Sequence, residues 1–491
     1  MLFPWVQRTQ VKQRRIEKGL LVSEYYCGVD FGTSNSSVAL FDGEKVRVLD
    51  LDEHNDSPAS LPSILYMTNE GKPIVGRAAA NAFIERNVNR EVKLKQVDLG
   101  IDIEGYVGSE PDKSEGYRPG VLDPNVREAV RAKAIVEINS PGRLFQSLKT
   151  LLRHESFKST EVFGTQYQIE ELVAMILRPI KAKADAAAGK PITRAVFGRP
   201  VRFSERDAEN DIAERRLRTA AGLAGFEDVV FFFEPVGACV EYAMAEAREQ
   251  RLMVVDIGGG TFDVCIMQFG KSTKVAERLR ESRILGVSGV PVAGDVIDRE
   301  IIRSKLFPRF GSRARYGPSK LKMPQYLFNQ ILDWQNLYRL NNEETINWLL
   351  AAESSSDDPA ALRALRCLIQ RNYGYPVVRE VETAKKRLST EMTAEMRIEL
   401  EDINIHEMLA RDEFAHIIED NLGIMLETME EAERAAGLKP SDMDLVLTTG
   451  GTSLIPAIQN MLKERYGAER IKQRDTFTSV ATGLSIVAQF A

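Results

Sequence analysis

The chain has 491 residues, a formal net charge of −6, 44% hydrophobic and 28% charged residues; it is long enough for several domains around a large core. The acidic balance provides no global positive field to gather nucleic-acid phosphates. Its four cysteines lack CxxC spacing and its four histidines form no HExxH, which excludes a disulfide framework, a zinc ribbon and a zincin.

Residues 1–24, "MLFPWVQRTQVKQRRIEKGLLVSE", carry a basic cluster after a short apolar patch. A secretory signal has the reverse order, so the reading is a cytoplasmic protein with a basic tail. No apolar run approaches the ~18 residues needed to span a membrane. Residues 25–50 then read as a β-meander, with CGVDF, SVALF and KVRVLDL separated by turn residues. The stretch 58–167 is mixed and charge-rich, and "EGYVGSEPDKSEGYRPGVLDPN" (104–125) reads as loop. "IEELVAMILRPIKAKADAA" (169–187) has apolar residues at helical spacing and stops at "GKP". A buried strand follows in "ITRAVFGRPVRF", halted by Pro200, then a helix over 206–224, a strand in "FEDVVFFFEP", and a helix from about Val236.

The second half opens on "LMVVDIGGGTFDVCIM" (252–267), which repeats the grammar of "YYCGVDFGTSNSSVAL" (25–40): apolar strand, Asp, glycine turn with hydroxyls, strand. Helical material continues to about 435, and "MDLVLTTGGTSLIPAIQNMLKERYG" closes the pattern as strand, glycine turn and helix. Within 300–375, Tyr326, Leu327, Ile331, Leu332, Trp334 and Leu337 fall on an amphipathic helical pattern. That segment is either an enlarged outer subdomain or a surface for a partner protein. The predicted architecture is α/β, two lobes of like plan facing a central cleft. The expected division is a tail 1–24, lobe I over 25–247 with an outer subdomain near 58–167, and lobe II over 248–491 with an outer subdomain near 295–419.

The turns carry the chemistry. Successive backbone N–H groups in a tight glycine turn favour anions, and Gly258, Gly259 and Gly260 remove the Cβ atoms that would hold a phosphate away. Thr33, Ser34 and Thr261 add hydroxyl donors. Asp30 and Asp256 would repel a bare phosphate, but they suit Mg²⁺ carried between carboxylates, water and phosphate oxygens; Asp263 is a third carboxylate nearby. The pattern predicts a two-sided clamp on a nucleoside triphosphate with Mg²⁺. "FGKST" is not a P-loop, because Cys265 stands where its first glycine belongs. "GGGTFD" fails as a dinucleotide fingerprint, because it ends on Asp263 and a strand follows.

"GVDFGTSNSSVAL", "VVDIGGGTFDVCIM" and "LVLTTGGTSLIPAIQ" resemble the two phosphate motifs and the adenosine motif of the actin/hexokinase/heat-shock-chaperone superfamily, most closely the DnaK-type chaperone ATPase domain. "GRPV", the long segment after "GDVID", and "DTFTSVATGL" resemble its YegD-like branch. The resemblance implies two actin-like (ribonuclease-H-like) lobes, ATP/ADP and Mg²⁺ as ligands, and ATP hydrolysis. It implies that Asp30 and Asp256 hold Mg²⁺ through its water shell. It further implies phosphate contacts from Gly32, Thr33, Ser34 and Asn35, and from Gly258, Gly259, Gly260 and Thr261. Thr261 then bonds the γ-phosphate, Asp263 orients the attacking water, and Glu234 lies near the metal. Lys149 in "FQSLKTLL" is the candidate for reaching the γ-phosphate, with Arg143 a weaker one. Glu382, Lys385, Lys386 and Ser389 share a helix face and are implied adenosine contacts; Gly450, Gly451 and Thr452 approach ribose and phosphates.

Three departures stand out. Leu454 occupies the position of an adenine-packing arginine, Ala293–Gly294 replaces a glycine pair on the phosphate side, and only eight residues follow Gly483. The last leads to the expectation of an ATPase domain without the chaperones' peptide-binding domain, whose turnover unfolded peptides do not accelerate and whose closure is read by a protein docking on lobe II. A small-molecule kinase of the same superfold and an actin-like filament are the alternatives.

Overall fold

The computed structural model describes residues 25–108, 122–245, 249–272, 274–475 and 478–491. Two main sheets organise it. The first contains β1 (Tyr26–Phe31), β2 (Asn35–Phe41), β3 (Val46–Val48), β4 (Arg194–Arg199) and β5 (Asp228–Phe233), in the order β5-β4-β1-β2-β3. The second contains β6 (Arg251–Ile257), β7 (Phe262–Gln268), β8 (Arg283–Val290), β9 (Leu445–Thr449) and β10 (Ile471–Gln473), in the order β8-β7-β6-β9-β10. Strand senses match as well: β1 and β6 pair antiparallel with the hairpin partner and parallel with β4 or β9. The repeated Asp-turn hairpin is therefore the leading edge of one topology used twice. β1, β2, β6 and β7 are buried on both faces, which is why they read as near-continuous apolar runs.

Helix Ile169–Ala188 covers the first sheet. The Gln168 N–H donates to Glu171 at its start, and Gly189, at φ 67°, ends it in the left-handed conformation. Its buried stripe of Leu172, Val173, Ile176, Leu177 and Ile180 packs on Val29, Val38 and Phe197. The two sheets meet through helices Glu234–Ala245 and Ser479–Val487, whose Val236, Cys239 and Val240 face Val480, Leu484 and Val487 in a core shared with β6, β7 and β9. All four cysteines are free and buried, as expected for reduced thiols.

Two sequence expectations need correction. Residues 104–108 and 122–125, read as loop, belong to a long antiparallel pair of strands, Leu94–Gly108 and Leu122–Glu137; residues 109–121 of that reading lie outside the described residues. The stretch read as helical up to 435 contains a hairpin, Thr393–Leu400 with Ile403–Ala410. Its alternation was visible, since Ala394, Met396 and Ile398 are buried while their neighbours are not.

Segment 300–375 forms helices Gln325–Leu332, Glu343–Ser355 and Pro359–Gln370 with a 3₁₀ turn over Trp334–Leu340. Leu327, Phe328, Ile331, Leu337 and Leu349 are buried in the core of the second lobe, so the amphipathic faces close inward. Trp334 instead reaches across. It joins Tyr66, Phe83 and Tyr375 in a separate cluster, 5.9 Å from Phe83 and 5.0 Å from Tyr375 between ring centroids. Phe83 belongs to the outer part of the first lobe and Trp334 to that of the second. Nearby, Tyr373 donates to Asn89 (2.9 Å) and the Asn89 N–H to the Arg371 carbonyl (3.0 Å). The lobes are latched at the top of the cleft.

Candidate nucleotide cleft

The two repeated turns face one another. A Cβ on Gly259 would stand 2.1 Å from Ser34 Oγ, and one on Gly260 would stand 2.6 Å from Thr33 Oγ1. Only glycine allows backbone to approach this closely. The turn after β6 is closed by the Gly258 N–H donating to the Thr261 carbonyl, 3.1 Å. It is pinned from behind: the Gly294 and Asp295 N–H groups donate to the Gly258 and Gly259 carbonyls at 3.2 and 2.8 Å, and Thr452 Oγ1 donates to Gly258 at 2.7 Å. Gly450, at φ 79°, lets the third glycine turn pass against Ile257.

Asp30 and Asp256 end β1 and β6 and line the cleft between the turns, with Lys149 and Glu234 beside them. Lys149 Nζ donates to Glu234 Oε1 at 2.5 Å, and the two residues are only 4% and 7% exposed. Burial works to depress the ammonium, but Glu234 and Asp30 outweigh it and its pKa is raised. The carboxylates are unsettled. Burial, with Glu234 nearby, pushes Asp30 and Asp263 each up to about 7, and burial holds Asp256 well above the usual range. Asp295 rises to about 6 through burial and Asp298. Three buried acids around Lys149, and Asp295 with Asp298 around Lys385, describe a site short of positive charge.

The cleft has a volume of about 470 Å³, in the range of small-molecule sites. It gathers Asp30, Gly32, Thr33, Ser34, Asn35, Lys149, Glu234, Asp256, Gly258, Gly259, Thr261, Gly294, Glu382, Lys385, Lys386, Ser389, Gly450, Gly451 and Thr452 from distant parts of the sequence. Gly260 and Asp263 lie just behind this surface. Asp263 Oδ1 accepts from the Val201 N–H at 2.6 Å, and the Thr261 hydroxyl also bonds to Asp263. Arg143 is not part of the site, since its guanidinium donates to Thr160 Oγ1 and the Glu161 carbonyl. Lys385 is tied to Asp298 Oδ2 (2.7 Å) and the Gly294 carbonyl (3.1 Å). Ser389 sits beyond the end of helix Gly374–Arg387, in the turn that follows.

The sequence reading missed Ser147, Asp295, Asp298, Gln146, Arg77, Tyr375 and Arg379. Ser147 donates to Asp295 across the cleft, 3.3 Å, from a left-handed conformation at φ 56°. Asp295 and Asp298 follow Gly294 at the start of a helix, a visible signal; the others carried none. Three buried polar atoms lining the cleft have no hydrogen-bond partner: Gln146 Oε1, Asp298 Oδ1 and the Tyr375 hydroxyl. Such atoms in a native fold call for a ligand, ion or water. A second hollow of about 680 Å³ lies on the outer part of the second lobe, but its Lys305, Arg309, Glu407 and Glu413 already pair with each other.

No helix among the described residues is long and apolar enough to cross a membrane. Two curated relatives are "Chaperone protein DnaK 1" of Synechococcus sp. and "Chaperone protein dnaK3" of Synechococcus elongatus. Each is 24% identical over 462 residues, covering 94% of this chain and 49% of the relative. The chain thus spans about half the length of the curated relatives it matches. The family model described as Hsp70 protein matches residues 146–276 and 373–490, just over half of the chain, and breaks off across most of the enlarged segment 300–375. Matching blocks on both lobes, with the twice-used topology and the facing glycine turns between them, establish that the chain belongs to the Hsp70 family.

Proposed function

We propose that the chain binds ATP with Mg²⁺ between the facing turns and hydrolyses it to ADP and phosphate, with lobe closure following nucleotide state. The observation carrying this reading is the acid-rich floor set between two anion-cradling turns, with one buried lysine beside it. Among the described residues, no three acidic, histidine or cysteine side chains are grouped to hold a metal by themselves. The site therefore fits a hydrated cation that takes its other ligands from phosphate oxygens and water. When bound, Mg²⁺ supplies charge neutralisation on the triphosphate.

The chain's own residues supply the rest. N–H groups of the two turns hold phosphate oxygens, and Lys149, kept charged by Glu234, faces the γ-phosphate where negative charge shifts during transfer. Asp263 acts through Thr261 as a positioning residue, since it lies one layer behind. Glu382, Lys386 and Ser389 hold the nucleoside end. A cytoplasmic setting belongs to the same reading. A protein partner on the second lobe has less to dock on than the sequence suggested, because in 300–375 only Leu321, Tyr326 and Leu350 remain as exposed large apolar side chains. Phosphate release from ATP, measured with and without sugar or carboxylate acceptors, tests the proposal. Release without acceptor supports hydrolysis, and ATP loss only with acceptor supports the kinase reading.

Two further results are expected. Asp30→Asn stabilises the ligand-free chain at pH 8 while lowering turnover. The folded-state pKa of Asp30 lies near 7, above the unfolded ~3.9, so the native state holds the extra proton in between. Its stability therefore declines as pH rises from about 4 to 7, and the full penalty stands above 7. Asparagine removes that penalty, so ligand-free melts should show the variant's gain growing as pH rises from about 4 to 7, clearly larger at pH 8 than at pH 5.5. Separately, Trp334→Ala should speed nucleotide release about tenfold. It deletes the Trp334 ring contact that crosses the cleft top, to Phe83, worth ~0.5–1.5 kcal/mol beyond burial, and 1.4 kcal/mol is tenfold. Stopped-flow displacement of a fluorescent nucleotide measures it, and an unchanged rate would remove the latch from the release pathway.

A further inference from the structure

The cleft does not end at the nucleotide-binding turns. Its upper part is roofed by the latch, whose Ile64, Ala80 and Tyr375 also line the cavity. Two arginines enter there from opposite lobes. Arg77 begins the first-lobe helix Arg77–Asn87, and Arg379 lies one turn after Tyr375 on helix Gly374–Arg387. Both line the cleft and both are half-buried. Neither makes an ion pair within 4 Å among the described residues, where ion pairs are otherwise frequent. The Tyr375 side chain is 1% exposed; Arg379 stands beside its oxygen as a donor, and its O–H has no acceptor. Burial pushes that phenol's pKa up, while Arg379, which lies alongside, and Arg77 pull against it.

A guanidinium held in a cleft without a counter-ion is costly, and so is a buried hydroxyl without an acceptor. One occupant would relieve all three groups. Guanidinium forks and a phenolic O–H are donors matched to the oxygens of a phosphate or carboxylate. Glu382, three residues on from Arg379, feels Lys385, Lys386 and Arg379 together and forms an ion pair with neither arginine. The floor of the cleft is acid-rich and calls for a cation; this upper chamber has the opposite need.

We propose that Arg77, Arg379 and the Tyr375 hydroxyl form a second anion subsite, which takes the phosphate or carboxylate group of a small molecule bound together with nucleotide. Because its two charges come from different lobes, the occupant ties the lobes together and slows nucleotide release. That consequence rests on the nucleotide reading above; the subsite itself does not.

The test uses the full chain with Mg²⁺ and a fluorescent, nonhydrolysable ATP analogue, which fills the triphosphate end so that added phosphate cannot act there. Inorganic phosphate and malonate are titrated separately against chloride at matched ionic strength. The expected result is a saturable slowing of analogue release, about fivefold, by at least one of them. Arg77→Gln and Arg379→Gln each abolish the slowing and leave analogue affinity without the anion within about twofold. The arm that responds identifies phosphate or carboxylate as the ligand group. Slowing no greater than with chloride, or slowing that survives in both variants, overturns the subsite. Failure of the analogue to bind would count against the nucleotide reading alone. The subsite is then judged by thermal melts with phosphate or malonate and no nucleotide: an upward shift lost in both variants sustains it, and no shift with either anion overturns it.

Discussion

On the proposed reading, Lys149→Ala should lower ATP turnover by about a hundredfold or more, in the range found when one donor to developing transition-state charge is removed, while nucleotide affinity should fall far less. The lysine is buried, bonded to Glu234 at 2.5 Å and close enough to Asp30 to be influenced by it. Among the described residues lining the cleft, no other lysine or arginine pairs with Glu234; Lys385 is tied to Asp298, and the remaining cationic residues sit with Glu382 or in the upper chamber. Its loss removes a charge that acts where phosphoryl charge moves, and it also leaves Glu234 buried without its partner. The second effect is separable. Lys149→Met with Glu234→Gln removes the pair together and should recover much of the lost stability without recovering turnover. Single-turnover phosphate release, nucleotide anisotropy and ligand-free melts distinguish the two contributions. Turnover within twofold of the parent in the single variant would sink the role given to Lys149.

The parts of this site legible in the sequence share one property: each is a local pattern that backbone chemistry forces. Asp30, Asp256 and the glycines after them announce themselves because a turn that must approach another turn has no alternative to glycine. The helix Ile169–Ala188 was visible through its periodic apolar stripe, and β4 through an apolar run stopped by Pro200. Lys149 was different, since nothing within "FQSLKTLL" distinguishes it from a solvated lysine and only family resemblance singled it out. Arg143, the weaker candidate six residues earlier, shows the limit of that method: its strand turns it toward Thr160. Arg77, Tyr375 and Arg379 were beyond reach because their meaning lies in the lobes' juxtaposition. Trp334 was read as one residue of an amphipathic stripe, and only tertiary structure shows that it leaves its own core to meet Phe83.

Gly483→Ala should prevent the two lobes from assembling, although it adds a single methyl group to a helix. A Cβ at Gly483 would lie 1.7 Å from the Gly237 carbonyl oxygen, and one at Gly28 would lie 2.2 Å from the Ser485 N. A Cβ has no rotamer through which to escape, so relief requires helices Glu234–Ala245 and Ser479–Val487 to separate. Those helices carry the core shared between the sheets, and interiors packed at crystal-like density do not absorb such a shift. Overpacking commonly costs ~1–3 kcal/mol, and here backbone opposes backbone, so the expected loss lies at or above that range. The site should suffer with the stability, because Glu234 starts one of the two helices and Gly198, on β4, sits against it. Gly423→Ala provides the contrast: it lies in helix Glu419–Ala436, is exposed, and a Cβ there meets nothing within 4 Å. That variant should gain about 0.5–1 kcal/mol from helix propensity alone. Denaturation melts and nucleotide binding on both variants decide the matter. If Gly483→Ala melts within a degree or two of the parent and still binds nucleotide, the close crossing of these helices is not what joins the lobes.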